Sequence, residues 1–136
     1  VQSVSMEELL KESDYVVAAV PLTDQTFHLF NEERIAQMKA GSVLINIARG
    51  PVVDEEALAQ ALASGHLGGC AVDVFPKEPC ANSVLTRYAN ALLTPHSATS
   101  TAENSKATNF AAANNLVNYL KKDIDAKYVV VQGTRY

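Results

Sequence analysis

The sequence predicts an α/β fold in which strand and helix units alternate around a parallel sheet. Short apolar runs begin at residues 15, 43, 70 and 92, which are 28, 27 and 22 residues apart. Each interval is long enough for one strand followed by one crossover helix. Helix-capping signals fall in the intervals, and polar residues end several runs. A parallel sheet with crossover helices is therefore the simplest interpretation.

The four predicted strands are short and apolar, and the first three are rich in β-branched residues. They cover residues 15–20, 43–47, 70–74 and 92–94. Continuous apolar runs of this kind are typical of parallel strands that are buried on both faces. We therefore expect both faces of the sheet to be covered.

Two helices are predicted in the first third of the chain. Ser5 and Glu8 have capping-box spacing ahead of Leu9 and Leu10. Asn31 is the predicted N-cap of the second helix, whose first turn is acidic and whose apolar residues include Ile35 and Met38. Gly41 is predicted to stop this second helix.

Two more helices are predicted further along the chain. Asp54 can cap a helix that has an acidic first turn and ends at Gly65. Its inner face consists of Leu58, Ala61 and Leu62. Ser100 and Glu103 have capping-box spacing ahead of a helix that reaches about Lys122. Its predicted apolar stripe consists of Phe110, Ala113, Val117 and Leu120.

Two segments do not fit the strand and helix alternation. Residues 76–90 form the only long irregular stretch, and loops of that length inside a domain are often functional. Residues 128–132 are strand-like but follow a long helix rather than a turn. We expect this last strand to pair with a part of the protein outside these strand and helix units.

Composition excludes several classes of protein. The chain has 136 residues, of which 48% are hydrophobic and 19% charged, with a formal net charge of -4. These values are typical of a globular protein, and no basic stripe is present that could follow a nucleic-acid backbone. The longest apolar run, residues 16–20, is far shorter than the roughly 20 residues that span a bilayer. We therefore expect neither nucleic acid nor a membrane as a partner.

The two cysteines argue against a zinc site and against a disulfide scaffold. Cys70 and Cys80 lie ten residues apart, and no CxxC pair or histidine cluster accompanies them. A reduced cytoplasmic compartment fits this usage best.

Four polar residues fall at or just beyond the ends of predicted strands: Arg49, Asp73, Glu78 and His96. The carboxyl ends of parallel strands meet along one edge of the sheet, where open α/β sheets bind ligands. The recurrence therefore predicts a ligand site at that edge and favours an enzyme.

His96 and Glu78 are candidates for an acid/base pair. Histidine can exchange a proton near neutral pH, and a carboxylate partner fixes the orientation of the ring. Glu78 lies between Pro76 and Pro79, whose fixed φ angles stiffen the turn. The alternatives are a histidine satisfied at a strand end and a solvated loop glutamate.

Arg49 and Asp73 are candidates for ligand binding. The guanidinium of Arg49 can hold a carboxylate through two hydrogen bonds, and Gly50 beside it permits a sharp turn or a close approach of backbone. Asp73 interrupts an apolar strand, where a charge is costly unless it is paired. The alternatives are an ion pair of Arg49 with Asp54, a buried ion pair of Asp73 with Arg49, and the capping of a backbone amide by Asp73.

Several chemical signals are missing from the sequence. It contains no GxGxxG or GxxxxGK[ST] loop and no metal-spaced set of histidines and cysteines. Part of a dehydrogenase and a cofactor-free site would both explain the first absence. His28 and His66 occupy polar helix flanks, where a chemical role is less probable than for His96.

These residues together resemble a known family. The segment VPLTDQTFHLFNEERIAQMKAGSVLINIARGPVVDEEALAQALASGHLGGCAVDVFPKEP, followed by LLTPH, closely resembles the nucleotide-binding domain of the D-isomer-specific 2-hydroxyacid dehydrogenases. That family includes phosphoglycerate, glycerate, formate and D-lactate dehydrogenases. The resemblance covers nearly the whole chain and implies the second half of a Rossmann-type, doubly wound parallel sheet with a C-terminal returning helix.

The resemblance implies a role for each matching position. His96 would be the general acid/base, Glu78 its paired carboxylate, and Arg49 the group that binds the carboxylate of a 2-hydroxy or 2-keto acid. Asp73 would hydrogen-bond the carboxamide of NAD or NADP. The remaining residues lining the nicotinamide half would be Val20, Pro21, Ile47, Ala48, Ser97 and Ala98.

The resemblance also implies a domain organisation. Residues 1–122 would form the C-terminal part of the NAD(P)-binding domain with its returning helix, and residues 123–136 a tail leading to a substrate domain. The glycine-rich loop and the residue that selects NAD or NADP would lie upstream of position 1. Residues 97–100 read SATS. Many members of the family instead have a pair of small residues that includes glycine at this point.

Function and assembly follow from the same resemblance. It implies a cytoplasmic homodimer, joined through this domain, that transfers a hydride between NAD(P)(H) and a small 2-hydroxy acid. A non-catalytic NAD(H)-sensing corepressor of the same fold is the alternative.

Overall fold

A computed structural model describes residues 2–128, except for the side chain of Ala126. The chain divides into two compact units, Val1–Ser97 and Ala98–Tyr136.

The first unit is built on a parallel sheet of four strands. The strands are β1 (Tyr15–Ala18), β2 (Val43–Asn46), β3 (Gly69–Val72) and β4 (Ala91–Leu93). They pair in the order in which they occur in the sequence, and every pairing is parallel. The predicted α/β class is therefore confirmed, with strands that end one or two residues before the predicted limits.

The first unit contains three short helices, of which one precedes β1 and the other two lie between successive strands. They are α1 (Met6–Glu12), α2 (Glu32–Ala36) and α3 (Glu55–Ala63). The predicted N-caps form: Ser5 accepts a hydrogen bond from the Glu8 amide, and Asn31 accepts one from the Arg34 amide. Asp54 caps α3 by accepting from the first-turn amides of Glu56 and Ala57. These side chains satisfy amide groups that the helix itself leaves without partners.

The predicted helix ends are only partly correct. Gly65, with φ 74°, follows the C-cap of α3 as predicted. The second helix ends at Ala36 instead of continuing through Met38. Gly41, with φ 80°, lies in a later turn, where its amide donates to the His66 carbonyl. It therefore shapes the entry to β2 and does not stop α2.

Two 3₁₀ turns complete the first unit, at Gly50–Val52 and Val84–Arg87. The second of these lies within the predicted irregular stretch, residues 76–90. Its N-cap is Ser83, and Leu85 within it is only 1% exposed. The C-terminal half of this stretch is therefore anchored in the core.

The hydrophobic core lies on one face of the sheet. Buried side chains from alternate strand positions, such as Val16 and Leu44, pack with apolar residues of all three helices. On the opposite face, Val17 is 51% exposed and Leu92 is 67% exposed. The expectation that both faces are covered is wrong for the described residues. The same apolar runs alternate between buried and exposed positions because side chains of a strand point to opposite faces.

The second unit contains one long helix, α4 (Ala102–Leu120), and a 3₁₀ turn at Ala126–Tyr128. The N-cap is Thr101 rather than the predicted Ser100, and its side chain accepts from the Asn104 amide. The predicted stripe is exposed, because α4 has no buried residue. Tyr128 belongs to the 3₁₀ turn, and the rest of the predicted strand 128–132 lies outside the described residues.

The structure also bears on membrane-spanning helices and on the two cysteines. Across residues 2–128, no helix combines the length and the apolar character that a membrane span requires. Cys70 and Cys80 are both free thiols.

We predict that Gly50→Ala is strongly destabilising. A Cβ at Gly50 would overlap the Phe75 carbonyl carbon and the Pro76 nitrogen, and backbone atoms cannot move aside as a flexible side chain can. The expected loss in the free energy of unfolding is about 3 kcal/mol. Urea denaturation measures it.

Gly65→Ala is the matched control. A Cβ there has no neighbour within 4 Å, so only the positive φ of 74° opposes the change. That strain costs about 1 kcal/mol. Equal losses for the two variants would contradict the close approach at Gly50.

Candidate active site at the carboxyl edge of the sheet

The strand register brings four chain segments to one edge of the sheet. Ala18, Asn46, Val72 and Leu93 are successive partners across the four strands. The ladder continues one residue further, since the Asp73 amide donates to the Asn46 carbonyl at 3.1 Å and the Thr94 amide to the Val72 carbonyl at 3.0 Å. Residues that follow the strands therefore lie side by side, as the sequence predicts.

Glu78 and His96 form the predicted pair. The His96 Nδ1 atom lies 2.9 Å from Glu78 Oε2 and 3.1 Å from Oε1. The Phe75 amide also donates to Oε1, at 3.1 Å. The hydrogen bond with His96, followed by the one from Phe75, lowers the pKa of Glu78 below its usual value. The carboxylate is therefore ionised and oriented at neutral pH.

The backbone around His96 is held by Asp73. His96 has φ 52°, and its amide donates to the Thr94 carbonyl in a tight turn. The Asp73 Oδ1 atom accepts from the Thr94 hydroxyl at 2.5 Å and from the Ser97 amide at 3.0 Å. Asp73 is only 8% exposed. Of the alternatives raised for this aspartate, the capping of a backbone amide is observed, and it fixes the residues on both sides of His96.

Arg49 has an exposed side chain at the end of β2. Its Nη1 atom donates to the Ala48 carbonyl at 2.7 Å. Among the described residues, the alternative ion pair with Asp54 does not form. Asp54 instead caps α3, with its Oδ2 atom 3.7 Å from the Nδ1 atom of His28. The guanidinium can therefore reach a ligand after giving up one hydrogen bond to its own chain.

Asn46 is a site residue that the sequence reasoning missed. Its side chain is 1% exposed, and Oδ1 accepts from the Ala48 amide while Nδ2 donates to the Arg49 carbonyl, each at 3.1 Å. These bonds fix the turn that carries Arg49. The sequence signal for Asn46 was a polar residue inside the apolar run LINI. The aspartate inside CAVDV was the corresponding signal for Asp73.

The remaining predicted cofactor-lining residues have different surroundings. Val20 is partly buried and Pro21 exposed, after the end of β1, and the Thr26 hydroxyl donates to the Pro21 carbonyl at 2.6 Å. At the end of β2, Ala48 is buried, whereas the Ile47 side chain is 54% exposed. Ser97 is exposed in the first unit, and Ala98 begins the second unit.

An exposed isoleucine next to the buried carboxylate of Asp73 suits a planar ring that carries an amide. Ile47 and Asp73 follow adjacent strands, β2 and β3. An apolar side chain can pack against a ring face, and a carboxylate has acceptor capacity for about four hydrogen bonds. The described residues therefore fit the nicotinamide end of a dinucleotide.

The other two histidines have different surroundings: the His28 amide donates to the Pro51 carbonyl at 2.8 Å, and His66 precedes β3. His28 stacks on Phe27 with ring centroids 4.1 Å apart, and the Nε2 atom of His66 lies 3.1 Å from the Ile35 carbonyl. Burial raises the pKa of the Cys70 thiol to about 11, which keeps it neutral. Within residues 2–128, no cluster of three or more potential ligands could hold a metal ion.

Comparisons with known proteins identify relatives of this chain. Residues 1–98 match the family model of the D-isomer specific 2-hydroxyacid dehydrogenase, NAD binding domain. Glyoxylate reductase from Pyrococcus furiosus is 45% identical over 119 residues, which are 88% of this chain and 35% of that protein. D-3-phosphoglycerate dehydrogenase from Haemophilus influenzae is 48% identical over 120 residues, or 85% of this chain and 29% of that protein.

A solved structure gives the same result. D-lactate dehydrogenase from Aquifex aeolicus, complexed with NAD and lactic acid, matches with a TM-score of 0.81 and 36% identity, over 88% of this chain and 41% of that one. The chain spans about a third of the length of the curated relatives it matches, such as 35% of the Pyrococcus furiosus protein.

We predict that Asn46→Ala destabilises the fold by about 2 kcal/mol, because it leaves the buried Ala48 amide without its acceptor. Urea denaturation measures the loss. Asn90→Ala is the control, since that exposed side chain makes a single hydrogen bond, to the Gly68 carbonyl. Similar losses in both variants would show that the turn before Arg49 does not depend on Asn46.

We predict an acid-dependent contribution of Glu78 to stability. Because its pKa is lowered in the folded state, the contribution is complete above the ordinary pKa of a glutamate and disappears as the pH falls through the lowered value. Glu78→Gln should therefore reduce the fall in stability on acidification below about pH 4.5. Urea denaturation over a pH series measures it, and parallel profiles for the two proteins would contradict the pairing.

Proposed function

The chain belongs to the NAD-binding domain family of the D-isomer-specific 2-hydroxyacid dehydrogenases, and from this we propose that its natural protein is an oxidoreductase. The reaction is hydride transfer between NAD(P)(H) and a D-2-hydroxy acid or its 2-keto acid. The proposed substrates are of the phosphoglycerate, glycerate/glyoxylate or D-lactate type. The pairing of Glu78 with His96, on the same sheet edge as Arg49 and Asp73, is the observation that supports this proposal most strongly.

His96 is the proposed general acid/base. With Nδ1 held by Glu78, the Nε2 atom is left to exchange a proton with the substrate oxygen. When a keto acid is reduced, Nε2 gives its proton to the carbonyl oxygen, and the Glu78 carboxylate holds the ring in the orientation that this transfer requires. In the oxidation direction, Nε2 removes the proton from the hydroxyl.

Arg49 is the proposed binding group for the substrate's carboxylate. Its planar guanidinium can make two parallel hydrogen bonds with the two carboxylate oxygens. The bond to the Ala48 carbonyl is replaced when the acid binds. The positive charge also polarises the adjacent carbonyl of a 2-keto acid, where negative charge develops during reduction.

The cofactor supplies or accepts the hydride at its nicotinamide ring. Asp73 is the proposed acceptor for the carboxamide, which it can reach while it also holds Thr94 and Ser97. Ile47 is the proposed packing surface for the ring. The other proposed lining residues are Val20, Pro21, Ala48, His96, Ser97 and Ala98.

The organisation of the natural protein is part of the proposal. Residues 1–122 belong to the nucleotide-binding domain and its returning helix, and residues 123–136 lead towards a substrate domain. We propose a cytoplasmic homodimer joined through the nucleotide-binding domain. Its partners are small acids, and neither nucleic acid nor a membrane is among them.

Turnover itself is the first test. The protein expressed from its natural gene should oxidise NADH or NADPH in the presence of glyoxylate, hydroxypyruvate or pyruvate, measured by the loss of absorbance of the reduced cofactor. Tight NADH binding without turnover of any small 2-keto acid would instead support a dinucleotide-sensing protein.

We predict that His96→Ala lowers kcat about 10³-fold, because the proton is then exchanged with water. Steady-state kinetics measure the effect. His66→Ala is the matched control, because that histidine precedes β3 at the amino end of the strand and its loss is expected to leave kcat within about twofold of the wild type. Unchanged kinetics in His96→Ala would overturn the assignment.

We predict that Arg49→Lys raises KM and lowers kcat, each about tenfold, although the charge is kept. A lysine cannot hold both carboxylate oxygens in one plane. Arg49→Ala should lose more in both parameters, whereas Arg87→Ala, on the Val84–Arg87 turn, serves as the control. Equal KM values for Arg49→Ala and the wild type would exclude Arg49 from substrate binding.

A further inference from the structure

We propose that Glu55 is a positioning residue for the acid/base pair. It lies in the first turn of α3 and acts through the loop that carries Glu78. The inference rests on the proposed function only for its effect on turnover. The effect of Glu55 on the Glu78 carboxylate does not depend on any enzymatic activity.

Glu55 holds the far end of the Glu78 loop. Its Oε1 atom accepts from the Ser83 hydroxyl at 2.6 Å and from the Val84 amide at 3.1 Å. Residues 83 and 84 are 28 and 29 positions away in sequence. A carboxylate that accepts two hydrogen bonds is a strong tether, because the ionised acceptor shortens and strengthens both.

The Ser83 hydroxyl connects this tether to the core. While it donates to Glu55, the same oxygen accepts from the Leu85 amide at 3.2 Å and caps the 3₁₀ turn. Leu85 is 1% exposed and belongs to the hydrophobic core. The loop therefore ends at a fixed point.

The near end of the loop is held by a different contact. Phe75 is 6% exposed, and its carbonyl and the Pro76 nitrogen approach Gly50 so closely that no Cβ fits there. Glu78 lies between these two anchors, three residues after Phe75 and five before Ser83. Its orientation therefore depends on both ends of the loop.

Apolar packing holds the loop at its two ends, at Phe75 and Leu85, and leaves a gap between the middle of the loop and α3. A cleft of about 180 Å³ lies between them, lined by Glu55, Phe75, Lys77, Pro79, Cys80 and Ser83 with neighbouring loop residues. Beside this cleft, the two hydrogen bonds to Glu55 join Ser83 and Val84 to α3. Loss of the carboxylate therefore loosens Ser83 and the segment before it, although Leu85 stays in the core, and Glu78 spends less time on His96.

The test compares Glu55→Ala with Glu56→Ala in the protein expressed from its natural gene. Glu56 is an exposed glutamate in the same first turn, so its loss has the same effect on the helix dipole without touching the loop. Glu55→Gln keeps an acceptor oxygen and should restore part of the effect. Ser83→Ala removes one of the two donors and gives a second variant if Glu55→Ala folds poorly.

Two measurements distinguish positioning from stability. The first is the ¹³C-carboxyl titration of Glu78, assigned by Glu78→Gln, in which the pKa should rise towards its usual value in Glu55→Ala and Ser83→Ala and stay lowered in Glu56→Ala. The second is kinetics, in which Glu55→Ala should lower kcat about tenfold and leave KM within about twofold, since Arg49 lies on another segment.

The possible results separate the role of Glu55 from the proposed function. An unchanged Glu78 titration in both Glu55→Ala and Ser83→Ala would overturn the positioning role, as would a kcat for Glu55→Ala equal to that of Glu56→Ala. A shifted titration in a protein without dehydrogenase activity would support the tether and contradict the proposed function.

Discussion

The parallel register of the four strands is the constraint on which the candidate site depends. Asn46 pairs with Ala18 on one side and with Val72 on the other, so the strands end level with one another. A shift of one residue in a strand would turn its side chains to the opposite face. Arg49, Asp73 and His96 are far apart in sequence, and only this register brings the segments that carry them to one edge.

Polar side chains then fix the segments that leave the strands. Asn46 holds the turn before Arg49, Asp73 holds the residues around His96, and Glu55 holds the loop that contains Glu78. Asn46 and Asp73 are buried, and their side chains accept hydrogen bonds from the Ala48 and Ser97 amides. Strand ends and loops are less rigid than strands, so a site built there needs such supports.

The two faces of the sheet differ in burial, although the strands are apolar at successive positions. The runs YVVAAV and VLINI contain apolar residues at successive positions, which suggested burial on both sides. In the structure β1 alternates, with Val16 buried and Val17 half exposed. The long helix α4 likewise has an apolar stripe and no buried residue. Apolar patterning reports which faces can be buried, whereas burial itself depends on what packs against them.

Several features follow from the sequence alone: the α/β class, the approximate positions of the strands, three of the four helix caps and the four polar residues at strand ends. Those features are local, since a cap or an apolar run is encoded within a few neighbouring residues. Only the tertiary structure decided that Asp73 braces the backbone beside His96, that Asn46 supports Arg49, and that Glu55 reaches Ser83 across 28 positions. The physical reason is that a hydrogen bond across a fold depends on distances set by packing, and neither partner carries a local signal of the other.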